Sequence, residues 1–430
     1  MKRIILMAIM LLSITTLSAQ NFETHFEDAT LRIDYTFAGC ADKQIVALKE
    51  LSSTPAWWGR RVNLDEVPLK GNGDLTLYDE ATGEKLYMTS FSSLFQEWIT
   101  TEEAKSAFRS FEFTLLVPMP RQRAIAEIVL RNNNEEEACI LRHVIDPTDV
   151  LIRDRAKQQP LPYEYLHKGG DSRDCIDIVI LAEGYTAEQM TTFIEDAQIA
   201  ANEILSYEPF NSHRERFNFI AVKSPSTDGR VSVPQDEDWC QTAVKSNFMT
   251  FYMPRYLTSD AVYSMYDLTT NIPCEHFVIL ANTDTYGGGG IYNSYTLTTA
   301  HHPSFRPVVV HEFGHSFGGL GDEYFYLNQD NNDEMHSVAH EPWEPNITTL
   351  VDFDSKWSDM VGEGIEIPTE VTEERTANYT VGVYEGGGYR AKGIYRPTDV
   401  CRMRNNVAER FCPVCERALE RVILHQTVEQ

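Results

Sequence analysis

The segment HEFGHSFGGLGDEY, residues 311–324, carries the pattern on which most of the interpretation of this sequence depends. It follows three valines and is typical of a buried helix in which His311 and His315, one turn apart, share a face. Two imidazoles at that spacing can bind one Zn²⁺, and Glu312 beside the first can serve as general base toward a water at the metal. The segment therefore predicts a single catalytic zinc site with His311 and His315 as ligands and Glu312 as the catalytic residue.

A third protein ligand is expected shortly after this helix. Gly318 and Gly319 are poor helix formers and should end the helix, so that the chain can turn back toward the metal. In the metzincin pattern HExxHxxGxxH the third ligand stands ten residues after the first histidine, and Gly321, which has no side chain, occupies that position here. A return that is one residue longer would bring Asp322 to the metal, and Asp322 is the predicted third ligand.

Alternatives to Asp322 remain open at this point. Glu323 is the next residue and also offers a carboxylate. A gluzincin-like arrangement would take a glutamate from a later segment, such as Glu334 or Glu341. The glycine pair that ends the helix favours the shorter return.

Composition and charge exclude several classes of function. The chain has 430 residues, 42 % of them hydrophobic, with 37 basic and 64 acidic residues and a formal net charge of −27. Such a chain can bury sizeable cores, and its length predicts two or three domains. The negative charge argues against nucleic acid and against an anionic membrane surface as partners, because both attract basic surfaces.

Residues 1–19 have the features of a cleavable signal peptide. Lys2 and Arg3 precede a short apolar run, and small residues precede a cleavage site before Gln20. No later stretch of about 20 apolar residues is present, so no integral membrane segment is expected after signal removal. We expect a secreted protein, periplasmic or extracellular.

The rest of the chain divides into two patterned regions. Residues 20–150 alternate apolar and polar residues in short runs, which predicts an all-β sandwich domain. Residues 151–174 contain several prolines and charges and are interpreted as a linker. Residues 175–430 place apolar strands at 176–182, 217–222 and 276–281 around a helix that begins near Thr186, which predicts an α/β catalytic domain.

A run of glycines at 287–290 precedes the histidine helix. Gly289 and Gly290 permit close backbone approach, and Tyr292, Tyr295 and Leu297 suggest an edge strand. A peptide substrate can bind such an edge by strand addition, so Gly289, Gly290 and Tyr292 are candidate substrate-binding residues. A plain mobile loop is the alternative.

Two further clusters could bind metals or form disulfides. Cys412 and Cys415 are separated by two residues, and Cys401 is the only other cysteine near them in sequence. A structural zinc site usually needs four ligands, so in an exported chain disulfides are favoured, with Cys401 as a partner of one of the two. The acidic stretch 330–334 offers oxygen ligands for Ca²⁺, although its spacing matches no defined calcium loop.

In its extended form, the histidine motif resembles the zinc motif of the IgA-specific metallo-endopeptidase family. Similar segments elsewhere are LAEGYT at 181–186, GGGGIYN at 287–293, EPNIT at 344–348, CRMR at 401–404 and FCPVC at 411–415. The resemblance covers roughly residues 175–425, and the all-β region before them resembles the N-terminal domain of such proteins more weakly.

The resemblance implies a secreted zinc endopeptidase with a metzincin-like catalytic domain, acting on protein or peptide substrates. It also implies a structural role for Met403, as the apolar floor of a tight methionine turn beneath the metal and not as a ligand. It does not imply that immunoglobulin A is the substrate, because family does not settle specificity. The rival hypothesis is a catalytically weak protein that keeps the zinc peptidase fold and binds host proteins or glycans.

Overall fold

The computed structural model describes residues 22–132, 134–327 and 336–428. The predicted signal peptide and the acidic stretch 330–334 therefore lie outside the described residues. The elements of the first part of the chain are α1 (Phe22–His25), β1 (Phe26–Cys40), β2 (Lys43–Thr54), β3 (Gly73–Asp79), β4 (Lys85–Phe91), α2 (Leu94–Trp98), β5 (Arg109–Pro120), β6 (Ala124–Arg131), β7 (Glu137–Ile145) and β8 (Arg153–Asp154).

These strands form two four-stranded sheets, in the orders β5-β1-β2-β8 and β4-β3-β6-β7. Their facing sides are joined by aromatic rings. Phe37 of β1 stacks on Phe113 of β5 with ring centroids 4.7 Å apart, and Phe91 of β4 lies 4.4 Å from Phe113. The residues that alternate between apolar and polar thus form strands, and their apolar side chains meet between two sheets, as in a sandwich.

The second part of the chain is built around one larger sheet. Its elements are β9 (Tyr163–Lys168), β10 (Ile176–Glu183), α3 (Met190–Ile204), β11 (Phe217–Val222), α4 (Val262–Leu268), β12 (His276–Ala281), β13 (Gly288–Ile291), β14 (Tyr295–Thr299), α5 (Phe305–Gly318), α6 (Glu373–Ala377), β15 (Tyr384–Gly387), β16 (Arg390–Arg396) and α7 (Pro413–Thr427). The three strands expected from apolar runs are confirmed as β10, β11 and β12. The helix expected near Thr186 is α3, and a capping box of Thr186 and Gln189 forms on the short turn that leads into it.

The sheet has the order β13-β14-β12-β10-β11-β9. Strands β14, β12, β10 and β11 are parallel, while β13 and β9 are antiparallel strands at the two edges. The segment interpreted as a linker thus contains an edge strand of this sheet, β9. Because β9 is largely exposed, its sequence lacks the apolar run that marks the central strands.

Each face of this sheet is covered by a different layer. Ile178 and Ile180 of β10 pack in one core with α3, α5 and α7, whereas Val179 and Leu181 pack in another core with the sandwich. Burial on both faces explains why β10 reads as a continuous apolar run. Arg32 of β1 adds a polar contact across the second interface, with Nη1 2.6 Å from Oδ1 of Asp267. Among the helices of the described residues, none is both long and apolar enough to cross a bilayer.

Candidate active site

The two histidines lie on α5, the helix that the sequence predicted. Phe313 and Phe317 anchor its buried face, and their rings stack 5.1 Å apart. The opposite face presents His311 and His315, whose Nε2 atoms are 3.1 Å apart. Gly319 ends the helix with a left-handed φ of 60°, a conformation that costs glycine little. The predicted end of the helix is therefore confirmed.

The chain after the helix turns back and brings Asp322 to the histidines. Oδ1 of Asp322 lies 3.1 Å from Nε2 of His311 and 3.3 Å from Nε2 of His315. Asn346 holds this turn, because its side-chain oxygen accepts from the amide of Gly321 at 2.7 Å and its amide donates to the Gly321 carbonyl at 2.9 Å. The one-residue-longer return expected from the sequence is thus the path that the chain takes.

Backbone carbonyls fix which nitrogen of each imidazole carries the proton. Nδ1 of His311 lies 3.0 Å from the carbonyl of Arg402, and Nδ1 of His315 bonds to the carbonyl of Leu320. Because a carbonyl only accepts, both Nδ1 atoms donate, and in the neutral rings both Nε2 atoms present lone pairs. Two imidazole lone pairs and a carboxylate oxygen therefore converge on one point.

This arrangement fits a bound metal ion. Three acceptors at 3.1 to 3.3 Å repel one another unless a cation lies between them. Ligand atoms about 2.0–2.1 Å from a tetrahedral metal are about 3.3 Å apart, close to these separations. Within the described part of the chain, the buried Oδ1 of Asp322 receives no hydrogen bond, which leaves it available as a ligand.

The electrostatics of the site also favour a positive charge. Burial alone would raise the pKa of Asp322, but the imidazoles of His315 and His311 outweigh it and hold this pKa well below its usual range. Burial lowers the pKa of His315, but Asp322 and Glu312 outweigh that effect and raise it to about 9. The site therefore stabilises a positive charge between these residues, and a bound metal dication can provide that charge.

Glu312 lies beside this group and against the glycine run. Its carboxylate comes within 4.8 Å of imidazole nitrogens of both histidines. A Cβ placed on Gly288 would lie 2.8 Å from Oε1 of Glu312, and one on Gly290 would lie 2.2 Å from the Glu312 carbonyl oxygen. The run therefore needs glycine because β13 crosses α5 at backbone contact distance.

The edge strand itself differs from the expectation. The glycine run is β13, the edge of the sheet, whereas the strand with Tyr295 and Leu297 is β14, one position inside. Tyr292 lies in the connection between the two strands, where its ring packs 5.5 Å from that of Trp343. The sequence indicated the inner strand because β14 has large side chains, whereas β13 consists mostly of glycine.

A cleft of about 810 Å³ runs past these residues. His311, Glu312, His315 and Asp322 line it together with the glycines of β13 and Tyr292. The first part of the chain supplies further lining residues, namely Asn72, Ser92, Gln96, Glu97, Thr100 and Glu135. The sandwich therefore forms one wall of the cleft, which nothing in the sequence of residues 20–150 indicated.

Glu97 is one of two glutamates in that wall whose pKa is strongly raised. Burial raises its pKa to about 7, against the opposing effect of the hydrogen bond that Tyr256 donates to it. On the other side of the cleft, Arg255 donates to the hydroxyls of Tyr324 at 3.1 Å and Tyr326 at 2.7 Å. These groups come from three distant segments, so only the folded chain brings them together.

The remaining predicted residues are placed as follows. Met403 is fully buried, and a Cβ on Gly314, between the two histidines in sequence, would lie 2.8 Å from its sulfur. Glu341 lines the cleft, but its carboxylate accepts from Thr349 and from the amide of Asp352. Glu334 and the proposed calcium ligands lie outside the described residues.

The structure places the carboxylate of Glu323 in a different group from the histidine site, contrary to the alternative in which Glu323 is the third ligand beside His311 and His315. Its Oε1 lies 3.1 Å from the sulfur of Cys415, and Cys401 and Cys412 complete the same buried group. The expected disulfide is not formed among these described cysteines, because Cys401 and Cys415 have their sulfurs 3.8 Å apart.

Sequence reasoning missed the groups that hold the predicted residues in place. Tyr389 donates its hydroxyl hydrogen to Oδ2 of Asp322, and the amide of Gly388 donates to the Asp322 carbonyl at 2.8 Å. Asn346 belongs to the EPNIT segment, which only the family resemblance indicated. No local pattern marks such partners, since each lies more than twenty residues from the residue that it supports.

The α/β sheet with its histidine-bearing helix, the returning carboxylate and the adjoining cleft are the features of a metallopeptidase. The chain belongs to the IgA Peptidase M64 family, whose model matches residues 165–380 and 371–423. A second model, the Peptidase M64 N-terminus, matches residues 21–141. No curated protein matches the chain.

Proposed function

We propose that this metallopeptidase is an exported, zinc-dependent endopeptidase in which His311, His315 and Asp322 hold the metal and Glu312 is the general base. One observation carries the proposal. Three acceptor atoms converge on a single point, and the hydrogen bonds made by Nδ1 of each imidazole turn both Nε2 lone pairs toward it. The donor set of two imidazoles and one carboxylate is typical of catalytic zinc sites, which leave a position open for water or substrate.

A zinc ion bound there would polarise the scissile carbonyl and lower the pKa of a water to about 7. Glu312 accepts the proton of the attacking water and delivers it to the leaving amine. The carbonyls of Arg402 and Leu320 keep both imidazoles in the tautomer that the site needs. Met403 forms the apolar floor beneath the helix.

We propose that peptide substrates bind along β13. At Gly288 the outer edge of this strand is already occupied, since its carbonyl accepts from the amide of Leu257 at 3.4 Å. Backbone groups alternate in direction along a strand, so Gly290, two residues on, also faces outward. A peptide added there would run past Glu312, with Gly289 and Gly290 giving close approach and Tyr292 shaping the end of the cleft.

The proposed domain organisation keeps residues 1–19 as a signal peptide, 20–150 as the sandwich, 151–174 as the connection and 175–430 as the catalytic domain. N-terminal sequencing of the protein recovered from outside the cytoplasm tests the first boundary. We expect a mature chain that begins at Gln20, and an intact Met1 on the exported protein would contradict it.

The central test is cleavage of an unbiased peptide mixture, read by mass spectrometry, by the wild type and by Glu312→Gln. We expect internal cuts by the wild type alone and equal zinc contents, because Glu312 is not a ligand. Chelation should abolish the cuts and added zinc should restore them. Near-normal cleavage by Glu312→Gln would overturn the role of Glu312. Zinc-loaded wild type that cuts no peptide or protein would favour the binding protein that keeps the fold.

A further inference from the structure

A second cluster of metal-ligating side chains lies behind the histidine site. It consists of Glu323, Cys401, Cys412 and Cys415, whose ligand atoms all lie within 4.8 Å of one another. All four residues have 0 % exposure. The peptidase chemistry proposed above uses none of them. A buried carboxylate among three thiols therefore requires another explanation.

The distances within the cluster are compatible with a tetrahedral thiolate site. The sulfurs of Cys401 and Cys415 are 3.8 Å apart, and Oε1 of Glu323 lies 3.1 Å from Cys415 and 4.0 Å from Cys412. With metal–sulfur bonds of about 2.3 Å and metal–oxygen bonds of about 2.0 Å, tetrahedral geometry gives about 3.8 Å between sulfurs and about 3.5 Å between sulfur and oxygen. The observed sulfur–sulfur distance agrees with this geometry, and the two sulfur–oxygen distances lie on either side of the expected one.

Backbone amides donate hydrogen bonds to two of the three sulfurs. Cys412 is the N-cap of α7, and its sulfur accepts from the amide of Cys415 at 3.5 Å, while the sulfur of Cys401 accepts from the amide of Cys412 at 3.2 Å. Helix N-termini and backbone amides favour thiolates, which are the form that binds metals. The buried Arg396 interacts electrostatically with Glu323 and so offsets negative charge in the cluster.

One carboxylate oxygen of Glu323 is buried and available as a ligand. Asn346 donates to Oε1 at 2.9 Å, whereas Oε2 is buried and has no hydrogen-bond partner among the residues that the structure describes. Leaving a carboxylate oxygen buried and unsatisfied is costly, and coordination of a cation removes that cost. A disulfide between two of the cysteines would leave this oxygen as it is.

We propose that Glu323, Cys401, Cys412 and Cys415 form a second, structural zinc site, separate from the catalytic one. Three sulfurs favour a thiophilic dication, and four protein ligands with no open position are typical of a structural site. The site joins three segments that support the catalytic centre. These are the return loop after α5, the turn that contains Met403, and the start of α7.

The amide of Glu323 shows how close the two sites are, since it donates to the carbonyl of Met403 at 3.0 Å. Asp322, the proposed catalytic ligand, is the preceding residue. Metal at the second site would therefore hold Asp322 in place through the backbone, without touching the substrate. Loss of this metal is expected to lower the free energy of unfolding and to weaken zinc binding at the histidines.

The test compares the full-length mature wild type with a His311→Ala/His315→Ala variant and a Cys412→Ser/Cys415→Ser variant. Each is produced in zinc-supplemented medium and assayed for zinc per chain by mass spectrometry of the metal. We expect two zinc ions in the wild type and one in each variant. A Cys274→Ser variant, which alters a buried thiol outside the cluster, should keep two.

Cobalt(II) substitution then identifies the ligands. We expect the histidine variant loaded with cobalt to show near-ultraviolet sulfur-to-metal charge transfer, and the cysteine variant to lack it. Alkylation of the denatured wild type without reductant, read by the masses of proteolytic peptides, should label Cys401, Cys412 and Cys415 among the eight cysteines of the chain. The readout does not depend on cleavage, so failure of the proposed peptidase activity would leave this result interpretable.

Three outcomes would overturn the proposal. These are a histidine variant that holds no metal, a cobalt spectrum without thiolate absorption, or a disulfide that blocks alkylation of two of the cysteines. If the cysteine variant fails to fold, the metal content and the cobalt spectrum of the histidine variant still decide the question.

Discussion

Tyr389 donates a hydrogen bond from its hydroxyl to Oδ2 of Asp322, while Oδ1 of the same carboxylate faces His311 and His315. Oδ2 is thus held by the protein, and Oδ1 faces the point where the two imidazoles meet. Tyr389 lies in the tight connection between β15 and β16, 67 residues beyond the aspartate. The hairpin β15–β16 therefore supports the proposed metal ligand.

This relationship predicts the effect of Tyr389→Phe. Removing the hydroxyl frees the carboxylate to rotate, and loss of such a supporting partner typically costs about 10–100-fold in metal affinity or activity. Zinc affinity, measured by competition with a chromophoric chelator, should fall by that factor at unchanged fold. Tyr395→Phe, in β16 of the same hairpin, is the control and should bind zinc as the wild type does. Equal affinity of Tyr389→Phe and wild type would contradict the supporting role.

The contact between β13 and α5 predicts a strong effect of Gly290→Ala. The added methyl group would lie 2.2 Å from the Glu312 carbonyl oxygen, so strand and helix must separate. Such overpacking costs about 1–3 kcal/mol, and kcat/KM for a peptide substrate should fall at least about tenfold as Glu312 is displaced.

Gly362→Ala is the matched control for this substitution, because the nearest atom to its Cβ would be 3.7 Å away. Its unfolding free energy and kcat/KM should stay close to those of the wild type. A Gly290→Ala enzyme as active and stable as Gly362→Ala would show that β13 does not need its close approach to α5.

Asn293 connects the β13–β14 turn to the sandwich, which forms one wall of the cleft. Its amide donates to Oγ1 of Thr89 at 3.1 Å and to the carbonyl of Ser90 at 2.8 Å, which fastens the β13–β14 turn to β4. Its φ of 50° also favours asparagine or glycine. Asn293→Ala should lower the free energy of unfolding by about 2–3 kcal/mol, from two hydrogen bonds and the backbone strain.

Asn293→Gly separates the two causes, since glycine accepts this backbone conformation but makes neither hydrogen bond. Urea unfolding should place Asn293→Gly between the wild type and Asn293→Ala. If Asn293→Gly matched the wild type, the hydrogen bonds to β4 would contribute nothing to stability.

Asp177 in β10 predicts a dependence of stability on pH. Burial raises its pKa to about 7, although Asn218 and Ser172 donate hydrogen bonds that oppose the shift. The native state then holds a proton that the unfolded chain has already lost above about pH 4. The contribution of Asp177 to stability is therefore present below about pH 4 and is lost as the pH rises to about 7.

Asp177→Asn should remove this part of the pH dependence and should make the protein more stable than the wild type at pH 8, by a few kcal/mol. Urea unfolding at pH 5 and pH 8 measures the difference. The exposed Asp354→Asn is the control and should follow the wild type. Parallel pH profiles for Asp177→Asn and the wild type would contradict the prediction.

The sequence was most informative where a local pattern fixes a local structure. The spacing of His311 and His315, the glycines that end α5 and the apolar runs of β10, β11 and β12 all predicted elements that the structure confirms. The structure also places Asp322 beside the histidines and Met403 against Gly314 of α5, while their roles as metal ligand and methionine turn stay predictions. Errors arose at strands with weak signals, such as β9 in the supposed linker and the glycine edge strand β13.

The sequence by itself determined the family, the α/β core and the pair of imidazoles on one helical face, because hydrophobic period and motif spacing act within a few residues. Only the tertiary structure decided which carboxylate serves which site. It placed Asp322 at the histidines and Glu323 among the three cysteines, although the two are neighbours in sequence. The two carboxylates contact different groups, and those groups come from segments tens of residues away.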